Sequence, residues 1–381
     1  MRAFRSSIVG DPGAIDPAAW DALVAADPDS NPFLCHAYLH ALTASGCASE
    51  STGWAPCFLL LHEGARLVAA VPLWRKSHSY GEYVFDWAWA EALHRVGRPY
   101  YPKTVAAVPF TPVAGSRLLA ASDAARDAVI EALAGFAREQ GGSSLHVLFP
   151  PPAQAQALAR SGWLLREGVQ FHWVNRGYRD FEDFLGALAQ PKRKKIRAER
   201  RKVREAGVEL ERRAGGAIAP GDWDFFVRCY KNTYAEHGAP PYLDAGFFAR
   251  VARAMPDHFV LVIARREGRP VASALGVLDA ARGALYGRYW GALEPVPCLH
   301  FECCYYQMID FAIERRLAVF EGGAQGAHKL ARGLDPVPTQ SAHWIRDPAL
   351  RDAVARFLAQ EREAVGAAID ELAEHRAFRR D

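Results

Sequence analysis

The sequence predicts an α/β protein of two tandem halves, each a mixed central sheet flanked by helices, with an inserted basic helical arm and a long C-terminal helix. Three observations predict it: a length too great for one core, a strand–turn–strand pattern that occurs twice, and neighbours that recur around it in the same order. With 381 residues, 50% hydrophobic and 23% charged, the chain has the make-up of a packed globular protein and the length of two domains.

The repeat is clearest in two hairpins. Residues 57–70, CFLLLHEGARLVAA, and 261–274, LVIARREGRPVASA, each read as apolar strands around a Glu-Gly turn, which aligns Glu63 and Gly64 on Glu267 and Gly268. Before each hairpin, 31–42 and 240–255 carry apolar residues at helical spacing after a proline. After each comes an aromatic-rich segment expected to be extended, 83–113 and 285–301. A helix (123–139, 302–315) and a short apolar strand (145–149, 317–320) then close each half. The expected boundaries are 1–165, 166–347 and a final helix over 348–381.

The arm is expected at about 182–206, with Pro191 in a helix first turn and Gly207 at its C-cap. Residues 192–204, KRKKIRAERRKVR, hold nine bases and one acid, so a net charge of +3 hides a local +8 and a remainder near −5. Ile196 and Val203 are its main apolar residues, which predicts a helix that does not pack deeply. Concentrated charge of this kind points to a local phosphate partner, contacted by Lys192, Arg193, Lys194, Arg197, Arg200 and Arg201. The C-terminal helix opens at Asp347-Pro348 and shows an apolar stripe of Leu350, Val354, Phe357, Leu358, Val365, Ile369 and Leu372, suited to cover a sheet or a second protomer.

Other classes are disfavoured. The first twenty residues lack the apolar core of a secretory signal, and the longest apolar runs fall far short of a membrane span. Seven scattered cysteines without a C-x-x-C pair fit a reducing, cytoplasmic setting and neither a disulfide framework nor a zinc ribbon. No H-E-x-x-H or paired-Cys spacing marks a metal centre, and no tightly bound cofactor is expected.

Helix, hairpin, further strands, helix, strand is also the order of a GNAT (N-acyltransferase-type) domain. The strings KSHSYGEYVFDWAWAEA (76–92), YYPKTVAAVPFTPVAGSRLL (100–119), YWGALEPVPCLHFECCYYQMIDFAIE (289–314), FEGGAQGAHKLARGL (320–334) and SAHW (341–344) are similar to a bacterial FemAB-like "peptidoglycan biosynthesis/recognition" family of the GNAT superfamily. The resemblance implies kinship with Fem-type enzymes, which use aminoacyl-tRNA to add residues to cell-wall peptides and have two GNAT-like halves plus a helical arm. One departure is Ala327, where the family string leads one to expect an acid.

Transfer of an acyl group to an amine needs a neutral amine, a polarised carbonyl and a proton for the leaving group. His300 and Glu302 are expected at a strand-to-helix junction, where free N–H groups and the helix dipole favour an anion, with Tyr305 a turn further on. Glu321 ends an apolar strand ahead of a glycine-rich loop carrying Gln325, His328, Lys329 and Arg332, an expected site rim. His300, Glu302, Tyr305 and Glu321 are therefore the expected catalytic groups. Tyr289, Trp290 and the rim residues are expected to bind substrate. So are Ser79, Tyr80, Glu82 and Asp86 of the first half, if that segment is extended and offers a groove to a peptide or amine acceptor. Residues 295–301 lack the glycines of the R/Q-x-x-G-x-G/A loop that cradles the pyrophosphate of acetyl-CoA. The donor is thus left between acyl-CoA, an acyl carrier and aminoacyl-tRNA, and a non-catalytic module binding a peptidoglycan precursor or RNA is the alternative. Monomer and homodimer are both compatible with the chain.

Overall fold

The computed structural model describes residues 4–139, 142–323, 326–374 and 377–379. The chain divides into two compact units, Met1–Gly168 with Pro338–Ala367, and Val169–Val337 with Ala368–Asp381.

In the first unit the antiparallel strands Phe58–Glu63 and Arg66–Val71 form the expected hairpin, flanked by Phe4–Val9 and Leu119–Ala120. A second sheet joins Trp54–Pro56, Leu73–Lys76, Lys103–Ala106 and Ser144–Leu148, then residues 341–345 of the strand Asp335–Ile345. Lys103–Ala106 and Ser144–Leu148 run parallel, linked by the helix Asp123–Glu139, whose Val129, Ile130 and Leu133 are buried in the core.

The second unit repeats this plan. Phe259–Arg266 and Arg269–Asp279 form its hairpin, with Val208–Ala214 on the outer side and Ala284–Ala292 on the inner. Ala284–Ala292 runs parallel to Val319–Glu321 across a helix over 299–314, and Val319–Glu321 pairs with residues 172–174 of Leu164–Val174.

The duplication extends to irregularities. Both hairpins carry a register shift two residues before the turn, between Leu61 and His62 and between Ala264 and Arg265. Matching the registers places Glu63 on Arg266 and Gly64 on Glu267, one residue away from the Glu-Gly alignment the sequence offers. Gly64 and Glu267 accordingly share positive φ, 60° and 52°, so a glutamate does in the second turn what a glycine does in the first. The same matching aligns Pro72, which lacks an N–H and splits its strand, with Leu275, beside which the neighbouring strand Ala284–Ala292 is bulged.

Three expectations require correction. Residues 77–86 form turns leading into the helix Trp87–Arg95, so 83–113 is not an extended run and His78, Tyr80 and Glu82 do not share a strand face. The basic helix Gln190–Glu205 does pack deeply: Ile196, Glu199 and Val203, at spacings of three and four, turn inward, with Ile196 and Val203 fully buried. In the C-terminal helix Pro348–Glu374, Leu350, Val354 and Leu358 pack on Trp89, Leu93 and Tyr100, whereas Phe357 points outward at 39% exposure.

Candidate active site

In the second unit the parallel strands pair over only three residues each, 284–286 with 319–321. Beyond them Gly287–Trp290 diverges from Gly322–Gly323, and a cavity of about 110 Å³ opens in the splay. A bulge helps: the register of Ala284–Ala292 against its other neighbour shifts between Leu275 and Gly276, which leaves Arg288 as an extra residue. The cavity is walled by Tyr289 and Trp290 on one strand, Gly322 and Gly323 on the other, and His300, Cys304 and Tyr305 from the helix.

That helix starts abruptly after Cys298, held at φ 66°, and its first turns include a π-helical stretch, Glu302–Tyr306. The wider turn sends Cys304 and Tyr305 to the cavity and leaves Glu302 and Tyr306 facing the basic helix. Tyr305 Oη lies 3.1 Å from His328 Nε2, and Lys329 Nζ donates to the Gly323 carbonyl at 2.7 Å. His300 packs edge-on against Trp290 and Tyr305, at 5.5 and 5.6 Å between ring centroids.

Burial dominates the protonation states. It pushes His300 down to about 4, with His328, Arg332 and Lys329 adding to the effect, so the imidazole is neutral. It raises the Tyr305 hydroxyl well above its ordinary range and lowers Lys329 to about 8. Glu321 lies on the sheet face opposite buried Phe320, 3.8 Å from His172. Burial lifts its carboxyl to about 8, against the pull of Arg288, and holds His172 near 4. His300, Tyr305, Tyr289 and Trp290 thus converge on one cavity, with His328 and Lys329 at its rim. Gln325 lies outside the described residues.

Glu302 and Arg332 are engaged elsewhere. Glu302 is 2% exposed, 3.2 Å from Arg200 Nε, and accepts from Gln307 at 2.8 Å. Arg332 is equally buried and pairs with Glu199 at 2.8 Å, so its guanidinium is not offered to a ligand. Among the basic-helix residues, Arg197 pairs with Glu182, Arg201 with Glu205, and Arg193 reaches the Gly186 carbonyl. Lys194, Lys195, Lys202 and Arg204 are exposed and have no ion pair among the described residues, and Lys192 is half-buried and likewise unpaired. Lys195 is close enough to help depress His328, after burial, Arg332 and Lys329, which sets part of this free positive face beside the rim.

In the first unit, Ser79, Glu82 and Asp86 face inward. Lys103, buried completely, donates to Asp86 at 2.5 Å, Glu82 at 2.7 Å and Ser79 at 2.8 Å. Tyr100 donates to Asp86 at 2.6 Å and approaches His146, whose Nδ1 lies 2.7 Å from His343 Nδ1. Lys76 lies 3.6 Å over the Trp54 ring and 4.0 Å from Glu82. These groups are buried and turned toward one another rather than presented along a strand face. Tyr80 alone of the four expected ligands is exposed, at 59%, its ring tilted against Trp87.

Sequence reasoning missed Lys103, His172 and Glu199. Glu199 had a signal: a lone acid three residues after Ile196 and four before Val203 falls on the apolar stripe of its helix. His172 and Lys103 had none, because their partners are distant in sequence.

The two units, each with its hairpin, parallel strand pair and crossover helix, define a tandem GNAT-like α/β protein. The chain belongs to the FemAB-like family, described as peptidoglycan biosynthesis/recognition, whose model matches residues 12–380. In fold it is similar to FemX (TM-score 0.54, 11% identity, covering 92% of this chain and 100% of that one). It is similar also to the C-terminal DUF2156 domain of a putative lysylphosphatidylglycerol synthetase from Agrobacterium fabrum (0.54, 13%, 90% and 95%). L-PGS from Bacillus licheniformis is a third such structure (0.53, 10%, 94% and 98%). No curated protein matches the chain. Among the described residues no helix is long and apolar enough to cross a membrane.

Proposed function

We propose that this protein is a transferase that moves an acyl or aminoacyl group onto an amine, with the cavity between the splayed strands as the seat of the transferred group. The observation that carries the reading is the splay itself: the parallel pairing ends at Tyr286 and Glu321, and beyond it opens a cavity walled by a protonated tyrosine and a neutral histidine. A backbone N–H directed into such a splay polarises a donor carbonyl seated there. The amine nitrogen then attacks that carbon, and the bond to the leaving group breaks. Tyr305, kept protonated by burial, gives its proton to the leaving group and draws on His328 at 3.1 Å. Neutral His300, in the cavity wall, takes the amine's proton. Glu302 and Arg332 have no direct part in the reaction. The exposed lysines of the basic helix receive phosphates of the donor or acceptor, which suits aminoacyl-tRNA and equally the phosphates of an acyl-CoA. A cell-wall peptide or amino acid is the proposed acceptor, in line with the family description.

The test is a thermal-shift panel of charged tRNA, acetyl-CoA, long-chain acyl-CoA and UDP-linked cell-wall precursors at low and high salt, followed by turnover with every ligand that binds. Tyr305→Phe should lower turnover by about 10²–10⁴-fold while the ligand shift is kept. Full activity in that variant would overturn the assigned role, and binding without turnover for every donor would overturn the transferase reading.

A further inference from the structure

Glu199 is the single acid in the basic run, and the fold buries it to 8% exposure. Its carboxylate accepts from Arg332 Nη2 at 2.8 and 3.0 Å and from the Tyr306 hydroxyl. The Arg332 guanidinium uses its remaining edges on Tyr306 Oη, at 3.1 Å from Nε, and on the His328 carbonyl, at 2.8 Å from Nη1, and lies 3.5 Å over the Phe301 ring. Three elements meet in this cluster: the basic helix, the helix over 299–314, and the 3-10 turn Ala327–Arg332.

A buried ion pair adds little net stability, because desolvation offsets much of the attraction, so its use here is better sought in what it orients. The 3-10 turn is bounded by two glycines with positive φ, Gly326 at 110° and Gly333 at 81°. Glycine confers backbone freedom, and two such joints leave a six-residue turn with little intrinsic resistance to swinging. The bond from Arg332 to the His328 carbonyl closes the turn on itself, and the bonds to Glu199 and Tyr306 pin it to both helices. His328 Nε2 then rests 3.1 Å from Tyr305 Oη.

We propose that Glu199 and Arg332 are positioning residues: they lock the His328 turn between the basic helix and the π-helical stretch, holding His328 on Tyr305 and the phosphate-binding face of the basic helix in fixed register with the cavity. The functional consequence rests on the transferase reading of Tyr305 and His328; the lock itself does not. Whatever phosphate group the basic helix holds is then presented at a set distance from the proton-donating pair.

Amide hydrogen exchange on the ligand-free chain tests the lock without any assumption about activity. The Lys329, Gly333 and Leu334 amides are bonded within the turn and report on it. In Glu199→Gln and in Arg332→Lys these amides should exchange about tenfold faster, while those of Phe259–Arg266 keep their wild-type rates. Should those variants fail to fold, Tyr306→Phe removes one link and should give an acceleration of about threefold at the same amides. Unchanged rates at 329, 333 and 334, or an equal acceleration across Phe259–Arg266, would overturn the proposal. Once turnover is measurable, Glu199→Gln should lower kcat with the donor KM little changed. A kcat at the wild-type value alongside a loosened turn would overturn the positioning role, while absence of turnover in the wild type would count against the transferase reading only.

Discussion

Replacing Lys103 by methionine is the most demanding test of the first unit. The substitution keeps length and apolar bulk but removes the cation between Glu82 and Asp86, 2.7 and 2.5 Å from the ammonium and both nearly inaccessible to solvent. In the wild type, Asp86 is held below its ordinary range: burial acts against this, but Lys103 and His146 outweigh it. Burial pushes Glu82 up to about 7 although Lys103 pulls it down. Without Lys103, two buried carboxylates share one remaining cation, Lys76, at 4.0 Å from Glu82. Removing one partner of a buried pair costs about 3–5 kcal/mol. For a unit of this size that amounts to a fall of about 6–20 °C in melting temperature. Glu82 has a folded-state pKa above its unfolded value, so its contribution is present at low pH and lost as pH rises through the folded value. Losing Lys103 raises that folded value further, and protonation of Glu82 then relieves the excess charge. The deficit measured by circular dichroism should therefore be largest near pH 8 and smaller near pH 5.5. A fall of less than about 2 °C, or a deficit equal at both pH values, would refute the account of this network.

Buried neutral histidines should make the wild type acid-sensitive. Burial depresses His146 to about 3 and His172 and His300 to about 4, and it also holds His343 well below its ordinary value, so stability present above pH 6.5 is lost as pH falls through the depressed values. Glu82 and Glu321 act in the opposite sense but are fewer, so urea midpoints should drop between pH 6.5 and 4.5. Gly291→Ala should destabilise the second unit by about 1–3 kcal/mol in the same assay, because a Cβ there would overlap the Cys229 carbonyl and sit 2.9 Å from Thr233 Oγ1. Lys194→Glu with Lys195→Glu should leave the melting temperature within about 2 °C, since both side chains are exposed. The pair should nonetheless weaken binding of a phosphate-bearing ligand and flatten its salt dependence, as read by fluorescence anisotropy of a labelled tRNA at several salt concentrations. An unchanged salt slope would move the phosphate contacts off this face.

The sequence by itself determined what rests on local pattern. Apolar runs and turn chemistry were enough for the hairpins, helical spacing for Asp123–Glu139 and the C-terminal helix, and their order for the duplicated α/β plan. His300 with Tyr305, and His328 with Lys329, were legible as two separate candidate clusters, on the crossover helix and on the glycine-rich loop; the fold brings them together. Only the tertiary structure decided which polar groups face a ligand and which face each other. Glu82 and Asp86 read as a binding surface until Lys103, 21 and 17 residues away, is seen between them. Arg332 reads as a basic rim until Glu199, 133 residues away, is seen to take its charge. A carboxylate has the same local signature in both situations. What separates them is whether an opposite charge arrives from a distant element to offset the cost of burial, and that is a property of the folded packing.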